Sequence, residues 1–425
     1  MADKSTHHDV VGTGGRSETS LATAAWLQAT SCQAVFKALE AGGFEGRAVG
    51  GSVRNTLMGI EVSDVDIATP ALPEEVMEVC QLEGLIVHPT GLAHGTVTVV
   101  SGHVPYEVTT LRQDVETHGR HATVAFTRDW RADASRRDFT MNALYCDRHG
   151  VLDDPLGGLA DLIARRVRFI GSARDRIRED YLRILRFFRF FAAYGEGPID
   201  ADGLTAAAAE RNGLSGLSAE RIRVELLKLL IARRAHEALC LMSENGIAQL
   251  VLGRDPELDR FEKLTNLEKF MGSGSDPILR LAAVAACDVS SATELAGRLK
   301  LSNAERKELI LISGSSTEQF VADPKEGQAW LYRLGESAYR DVCLSAWSRS
   351  PIDVDNSDWR LAFSLPDRWQ APTMPFKGSD IVSLGVPAGP AVGDVLLKFE
   401  SWWIEAGFPK DRQLLKTKLK QFANH

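Results

Sequence analysis

Cysteine is scarce and scattered in this chain. The six thiols (Cys32, Cys80, Cys146, Cys240, Cys287 and Cys343) lie far apart with no Cys-x-x-Cys spacing. That pattern speaks against a zinc ribbon or a disulfide framework, so no zinc is expected and free thiols in a reducing cytoplasm are. No apolar run approaches the length of a bilayer span, which leaves no expected membrane partner. Residues 1–22 have no apolar centre and carry Asp3, Asp9 and Glu18. This argues against a signal or transit peptide, and the Gly/Ser/Thr-rich composition predicts a disordered tail. No repeat of 20–50 residues is convincing.

A surplus of basic charge is also missing. The formal net charge is −8, which on its face argues against a nucleic-acid partner. Its distribution reverses that impression locally. From Arg112 to Arg189 there are sixteen Arg, twelve Asp or Glu and no Lys at all. Arginine is the residue of bidentate phosphate contacts. Clusters such as Arg165-Arg166-Val167-Arg168 and Arg174/Arg176/Arg178 could hold RNA, although solvated helix charges are the plain alternative. At 425 residues the chain exceeds one compact core, and two to four domains are expected.

The densest information lies between Val49 and Thr69. Gly50 and Gly51 follow a short apolar run, and Ser52 opens a helix-like stretch ending at Gly59. Glycines let backbone N–H groups approach a ligand, Ser52 is placed to cap the helix, and a helix N-terminus attracts anions. Arg54 adds a fixed positive fork. The alternating Ser63-Asp64-Val65-Asp66-Ile67 then predicts a strand with Asp64 and Asp66 on one face. Two such carboxylates are kept together cheaply when a cation shares them, and hard oxygens suit Mg²⁺. A phosphate cradle next to metal carboxylates reads as a nucleoside-triphosphate site.

Further along, Thr23–Gly46 has helical spacing with a break at Gly42-Gly43, and Pro73–Cys80 reads as another helix. His94–Val100 and Val104–Leu111 alternate around Ser101-Gly102-His103, a hairpin that places Glu107 on its second strand. Gln113–Arg131, holding His118-Gly119-Arg120-His121, shows no strong period and predicts a long loop of the lid or binding type. Arg136-Arg137-Asp138-Phe139-Thr140-Met141-Asn142 predicts a helix with Asp138 and Asn142 on one face, where salt bridging is the plain reading. Asp153-Asp154-Pro155-Leu156-Gly157-Gly158 is turn chemistry leading into a helix.

Arg178–Arg189 predicts one continuous helix, with Ile177, Tyr181, Ile184, Leu185 and Phe188 as its buried stripe. Glu179 and Asp180 precede Arg183 by four and three residues, so an intrahelical salt-bridge set is one reading. The other is chemical. Cytosine and adenine both present an amino donor beside a ring-nitrogen acceptor, which a carboxylate and a guanidinium can meet together. Uracil and guanine reverse both groups, and such a site discriminates by about 10⁴ because a mismatch leaves buried polar groups unpaired.

Together these motifs resemble the polymerase-β superfamily of nucleotidyltransferases, in particular the bacterial-type (class II) tRNA CCA-adding enzymes and poly(A) polymerases. The resemblance is dense over residues 47–225 and loose beyond. It implies an α+β chain: a polymerase-β-like head with a mixed sheet, then an all-α neck, body and tail. The expected limits are 1–22 (tail at the N-terminus), 23–165 (head), 166–230 (neck), 231–340 (body) and 341–425 (C-terminal tail, gripping tRNA). It further implies Asp64 and Asp66 as Mg²⁺ ligands, with Glu107, in Tyr106-Glu107-Val108, as the third acid of a two-metal site. Gly50, Gly51, Ser52 and Arg54 would cradle phosphate, the pair Arg136 and Arg137 would lie near the triphosphate, and Asp138 with Asn142 would read the ribose.

Asp180 and Arg183 would read CTP and ATP, oriented by Glu179 and extended by Arg186. Arg120 falls in the family's flexible loop, Asp154 in a hinge motif, and Glu220, in Ser218-Ala219-Glu220-Arg221, in a supporting helix. One departure is visible: Asn55 stands where the family has Asp, which implies altered local hydrogen bonding and retained activity. The implied function is untemplated addition of C, C and A to the tRNA 3′ end. Poly(A) polymerase, a partial CC- or A-adding enzyme, and a silent RNA-binding protein remain alternatives. The Glu179–Arg186 segment favours the CCA enzymes over poly(A) polymerase, and the intact acids speak against the silent protein.

Overall fold

The computed structural model describes residues 20–118, 121–314 and 324–424. The chain divides into two compact units between Leu217 and Ser218.

The first unit begins with α1 (Ala25–Gln28) and α2 (Thr30–Ala41), which buries Cys32, Val35, Phe36, Ala38 and Leu39 at helical spacing. After β1 (Arg47–Val49) come α3 (Gly51–Leu57), β2 (Asp66–Thr69) and α4 (Pro73–Leu82), the last opening on Pro73 as its sequence predicts. The strands β3 (Ile86–Gly91), β4 (Thr96–Ser101) and β5 (Val104–Thr110) follow, β4 and β5 forming the expected hairpin. Next are β6 (Arg112–His118), β7 (His121–Phe126), α5 (Trp130–Ser135), β8 (Tyr145–Asp147) and β9 (Leu152–Asp153). Helices α6 (Gly158–Ile163), α7 (Ala173–Glu179), α8 (Leu182–Tyr194) and α9 (Ala201–Glu210) complete the unit.

Seven strands form one mixed sheet in the order β3-β4-β5-β2-β1-β8-β9. Only β2 and β5 run parallel, with Asp66 opposite Glu107, while the other pairs are antiparallel. Apolar alternation along β4 buries Val97 and Val99 beneath α2 and α4. Around the β1 and β2 ends, Val49, Ala68, Leu111, Ala143 and Tyr145 make a second cluster, against which Trp130 packs.

Four expectations fail here for physical reasons. Ser20–Ala22 are not part of a tail: Leu21 is buried and its N–H donates to Gly150 (2.7 Å), while residues 1–19 lie outside the described residues. Gln113–Arg131 is not a loop throughout, because β6 and β7 pair as a separate two-stranded ribbon. A ribbon paired only with itself need not present one apolar face, so its period is hard to read. The strand after Gly59 starts at Asp66, leaving Asp64 just before the ladder. Finally, Arg178–Arg189 is two helices. Asp180 is extended (φ −154°, ψ 106°), which ends α7, and its carboxylate accepts the N–H of Leu182, the first residue of α8, at 3.1 Å. Ile177, Ile184, Leu185 and Phe188 are still fully buried, so the apolar stripe survives the break except at Tyr181, which is only half-buried.

A cluster of aromatic rings holds α8 against the segments around Phe139 and Phe169. Phe139 lies 4.9 Å from both Phe169 and Phe190, and Phe169 lies 5.2 Å from Phe187, centroid to centroid. Ring pairs at these distances each add about 0.5–1.5 kcal/mol beyond burial.

In the second unit all described regular elements are helices, beginning with α10 (Ala219–Leu230). The buried pair Glu268–Arg280 (2.7 Å) lies in its core, with the Arg280 Nη1–H also donating to the Leu230 carbonyl (2.7 Å). Towards the C-terminus, the helices Gly378–Val382 and Pro390–Glu405 pack around a core of Ile381, Val395, Phe399 and Trp403.

Candidate active site

A cavity of about 350 Å³ in the first unit gathers the sequence motifs. Its walls are Gly50, Gly51, Arg54, Asp66, Arg136, Arg137, Asp138, Asn142, Asp180, Arg183, Arg186 and Phe190. All but Phe190 are residues that the sequence analysis singles out. A larger cavity, about 650 Å³, lies against Thr140, Arg168, Ile170 and Ala206; it takes Arg168 and Arg174 from the basic clusters and none of the residues expected to hold nucleotide or metal. The chemistry of the walls, not the volume, picks the site.

The turn entering α3 forms one wall. Gly50 has φ +71°, a conformation costly for other residues, and a Cβ there would lie 3.6 Å from Arg137 Nη1. The N-cap of α3 is Gly50 and has no side-chain cap, so Ser52 does not cap the helix. Its Oγ is instead buried without a hydrogen-bond partner beside the cavity residues Gly50 and Gly51. A buried hydroxyl without a partner costs free energy until an acceptor arrives.

Arg54 is not an open fork. It donates to Asn142 Oδ1 (2.6 Å), to Asn55 Oδ1 through Nε and Nη2 (3.1 and 2.8 Å) and to the Tyr194 hydroxyl (2.9 Å). None of these acceptors is a carboxylate. Burial pulls this guanidinium below its ordinary value, with Arg189 and Arg186 adding to the effect and Tyr194 and Asp138 opposing it.

Asp138 and Asn142 lie together, though not on an α-helix: Asp138 precedes a 3₁₀ turn over Thr140–Asn142. The Asn142 amide donates to Asp138 Oδ1 (2.8 Å), and Arg186 donates through Nε (2.8 Å) and Nη2 to Asp138 Oδ2. Burial pushes the Asp138 carboxyl up, but the Arg186 charge and these hydrogen bonds outweigh it and hold it below the usual range.

Arg183 is oriented by three acceptors: Glu179, the Arg176 carbonyl (2.7 Å) and the Arg136 carbonyl (3.2 Å). Glu179 also holds Arg176 (2.8 Å).

The acids sit at the edge of this basic basin. Asp64 and Asp66 are exposed around buried Val65, and Ser63 donates to Asp64 (2.8 Å). Partial exclusion of water raises the Asp66 carboxyl above its ordinary value. Glu107 and Asp64 push the same way and Arg137 opposes. Asp64 and Glu107 do not line the cavity itself. Among the described residues no three His, Cys, Asp or Glu side chains converge as a metal cage. Mg²⁺ is commonly held by one or two carboxylates plus substrate phosphates, so the mutual repulsion at Asp66 fits it better than a closed cage would.

Other expected residues have different places. Asp154 accepts the N–H groups of Gly158 (2.7 Å) and Leu159 (2.9 Å), capping α6. Glu220 is in the second unit, paired with Lys300 (3.0 Å). Arg120 lies outside the described residues. Of the basic clusters, Arg168 pairs with Asp161 while Arg174 and Arg178 share Glu210, so their charge is largely answered within the protein.

Three contributors escape the sequence reading. Phe190, four residues after Arg186, lies under Arg54 (5.2 Å) and Arg186 (5.3 Å). Tyr194 holds Arg54, and Asp133 holds Arg136 (2.7 Å) and Arg137 (3.0 Å). The i+4 and i+8 spacing of Phe190 and Tyr194 from Arg186 is the available signal, and Asp133 offers the i+3 and i+4 arginines.

Comparison with known proteins identifies the family. Residues 46–168 match the family described as poly A polymerase head domain, and residues 199–262 match one described as probable RNA and SrmB-binding site of polymerase A. The mouse mitochondrial CCA tRNA nucleotidyltransferase 1 is 35% identical over 395 residues, covering 88% of this chain and 86% of that protein. The chain belongs to the CCA tRNA nucleotidyltransferase family. The CCA-adding enzyme of Geobacillus kaustophilus is 32% identical over 85% of this chain and 89% of its own. The crystal structure of the Bacillus stearothermophilus CCA-adding enzyme, in complex with CTP, matches with a TM-score of 0.65 at 28% identity, covering 92% of this chain and 96% of that one. CCA tRNA nucleotidyltransferases are transferases with a polymerase-β-like head, as found here, and generally use a divalent metal.

Proposed function

We propose that this chain adds C, C and A to the 3′ end of tRNA from CTP and ATP, without a nucleic-acid template. The observation that carries the reading is the single cavity uniting the Gly50-Gly51 turn, Asp66, the Arg136/Arg137 pair and the Asp180/Arg183 pair. Ser52, Arg136 and Arg137 receive the triphosphate, and the partnerless Ser52 hydroxyl finds its acceptor there. Asp138 and Asn142 face the ribose, whose 2′-hydroxyl both donates and accepts. Asp180 accepts from the base amino group while Arg183, set by Glu179, donates to the ring nitrogen. Phe190 and the arginine walls restrict water around the reacting groups.

Asp64 and Asp66, with Glu107, would hold Mg²⁺, which in such sites activates the attacking hydroxyl and stabilises the pyrophosphate leaving group. The protein's share is to place the 3′-hydroxyl in line with the α-phosphate. We further propose the division into head 23–165, neck 166–230, body 231–340 and tail 341–425, the last contacting tRNA. A reducing compartment, the cytoplasm in our reading, suits the six free thiols. Among the described residues no helix is long and apolar enough to cross a membrane.

The test incubates the full chain and Mg²⁺ with tRNAs ending before CCA, after C and after CC. CTP and ATP are supplied singly and together, and the 3′ ends are read at single-nucleotide resolution. Growth to a discrete CCA end needing both nucleotides is expected. A ladder of A on any RNA would make the chain a poly(A) polymerase, a stop at CC or a start only from CC would make it a partial enzyme, and no addition would overturn the reading.

A further inference from the structure

Asp133 is 1% exposed, among the most deeply buried charged residues of those described. Its two oxygens are used differently. Oδ1 accepts from Arg136 Nε (2.8 Å) and Nη2 (2.7 Å) and from the Arg112 backbone N–H (3.3 Å). Oδ2 accepts from Arg137 Nη2 (3.0 Å) and from the Tyr145 hydroxyl (2.8 Å). One carboxylate thus takes both cavity arginines, the first residue of β6 and a residue of β8. Tyr145 closes the arrangement by accepting from Arg137 Nε (3.3 Å). The Arg136 carbonyl in turn accepts from Arg183, linking the cluster to the arginine assigned to the base.

Burial alone would favour protonating Asp133. The Arg137 and Arg136 charges and the Tyr145 hydroxyl outweigh it, and the carboxyl is held below the usual range. The group therefore stays ionised at neutral pH, and its negative charge is spent wholly inside the wall of the cavity. A carboxylate so placed costs triphosphate attraction, since it partly neutralises the arginines that meet the substrate. Its return is geometry: two long, flexible side chains are held in one orientation before substrate binds.

We propose that Asp133 is the positioning residue of the nucleotide cavity, fixing Arg136 and Arg137 and locking them to the root of the β6–β7 ribbon. This rests on the reading of those arginines as triphosphate contacts. Asp133 never touches substrate, so its effect is expected in turnover more than in affinity.

The experiment compares wild type and Asp133→Asn, which keeps the shape and removes the charge. Turnover of CTP and ATP addition is measured together with equilibrium binding of tripolyphosphate. A fall in kcat of about tenfold or more, with tripolyphosphate affinity changed less than about threefold, is expected. A kcat within twofold of wild type, or tripolyphosphate bound more tightly with kcat unchanged, would reduce Asp133 to charge balance and overturn the proposal. In an Arg137→Ala background the Asp133→Asn loss should shrink by about threefold or more. Full additivity would mean that Asp133 acts without the arginine, and would also overturn it.

If Asp133→Asn fails to fold, Tyr145→Phe removes one donor from the same carboxylate. A kcat loss of about threefold supports the proposal and wild-type kcat opposes it. A readout independent of turnover is NMR of the arginine Nε–H groups in the full-length protein. Signals assigned with Arg136→Lys and Arg137→Lys should be dispersed and slow to exchange in wild type and averaged in Asp133→Asn. Ordered arginines in a protein that adds no nucleotide would leave the positioning role intact while removing the functional reading. Averaged arginines in wild type would remove the positioning role alone.

Discussion

Arg186 grips one oxygen of Asp138 through two guanidinium nitrogens, while Asn142 donates to the other. This contact joins α8, which carries Arg183, to the 3₁₀ turn that carries Asn142. The groups proposed to read base and ribose are therefore tied into one hydrogen-bonded network, continued by Arg54 into α3. Arg186→Lys keeps the charge but cannot make the paired contact. We expect kcat/KM to fall about tenfold for both CTP and ATP, since the geometry serves both. Adding Asp138→Asn should cost less than the product of the single losses. Strict multiplicativity in a double-mutant cycle would show that the contact carries no coupling.

At Asp66 the proposed metal role is set against stability. Its carboxyl is raised by restricted hydration and by Glu107 and Asp64, so the folded chain binds this proton more tightly than the unfolded chain does. The sign follows: the folded state gains from this group below the ordinary carboxylate range and loses that gain as pH rises through the elevated value. In metal-free buffer at neutral pH, Asp66→Asn should raise Tm while nucleotide addition falls by about 10²-fold or more. Mg²⁺ should raise the Tm of wild type and not of the variant. A lower Tm for Asp66→Asn without metal, measured by calorimetry, would contradict the repulsion argument.

The parts of this site that the sequence reveals are those whose chemistry is local. Gly50-Gly51, Asp66 and Arg136 through Asn142 each suggest a role within a few residues, and one cavity collects Gly50, Gly51, Asp66, Arg136, Arg137, Asp138 and Asn142. What stays hidden depends on distant partners. Asp133 is unremarkable until Arg112 and Tyr145 fold onto it. Phe190, 3% exposed, reads as core on any helix, and it is core as well as cavity wall. The break at Asp180 is invisible because the apolar spacing continues through it in the sequence, and only the carboxylate's contact with Leu182 shows the change of direction. Ser52 carries the opposite lesson. Its position before a helix suggests a cap, yet Gly50 takes that place and leaves the hydroxyl for another partner.

Asp341, on the helix Glu336–Arg349, is a titrating group outside the site. Burial raises it to about 7, with Asp276, Glu308 and Glu268 adding to the rise. An acid so raised stabilises the fold fully below its unfolded value of 3.8 and loses that contribution as pH climbs towards 7. Asp341→Asn should therefore raise Tm at pH 8 by about 2–4 °C and much less at pH 4. Equal shifts at both pH values in calorimetry would show that the charge is not the cause.

Asp180 and Arg183 give the sharpest prediction about substrate choice. Asp180 is fixed by the Leu182 N–H, and Arg183 by Glu179 and two carbonyls, so neither is free to follow an ill-matched base. Discrimination of this kind arises from pairs left unmade, and it should collapse when one member cannot make its pair. Arg183→Ala should cut CTP and ATP use by about 10²-fold while UTP and GTP use changes far less, so that selectivity falls by a similar factor. Glu179→Gln should move selectivity in the same direction by a smaller step, because Arg183 then loses its charged anchor but keeps its carbonyl contacts. Single-turnover incorporation of each nucleotide on a tRNA lacking CCA measures both. Equal losses for all four nucleotides would mean that Arg183 supports the fold of the cavity and does not read the base.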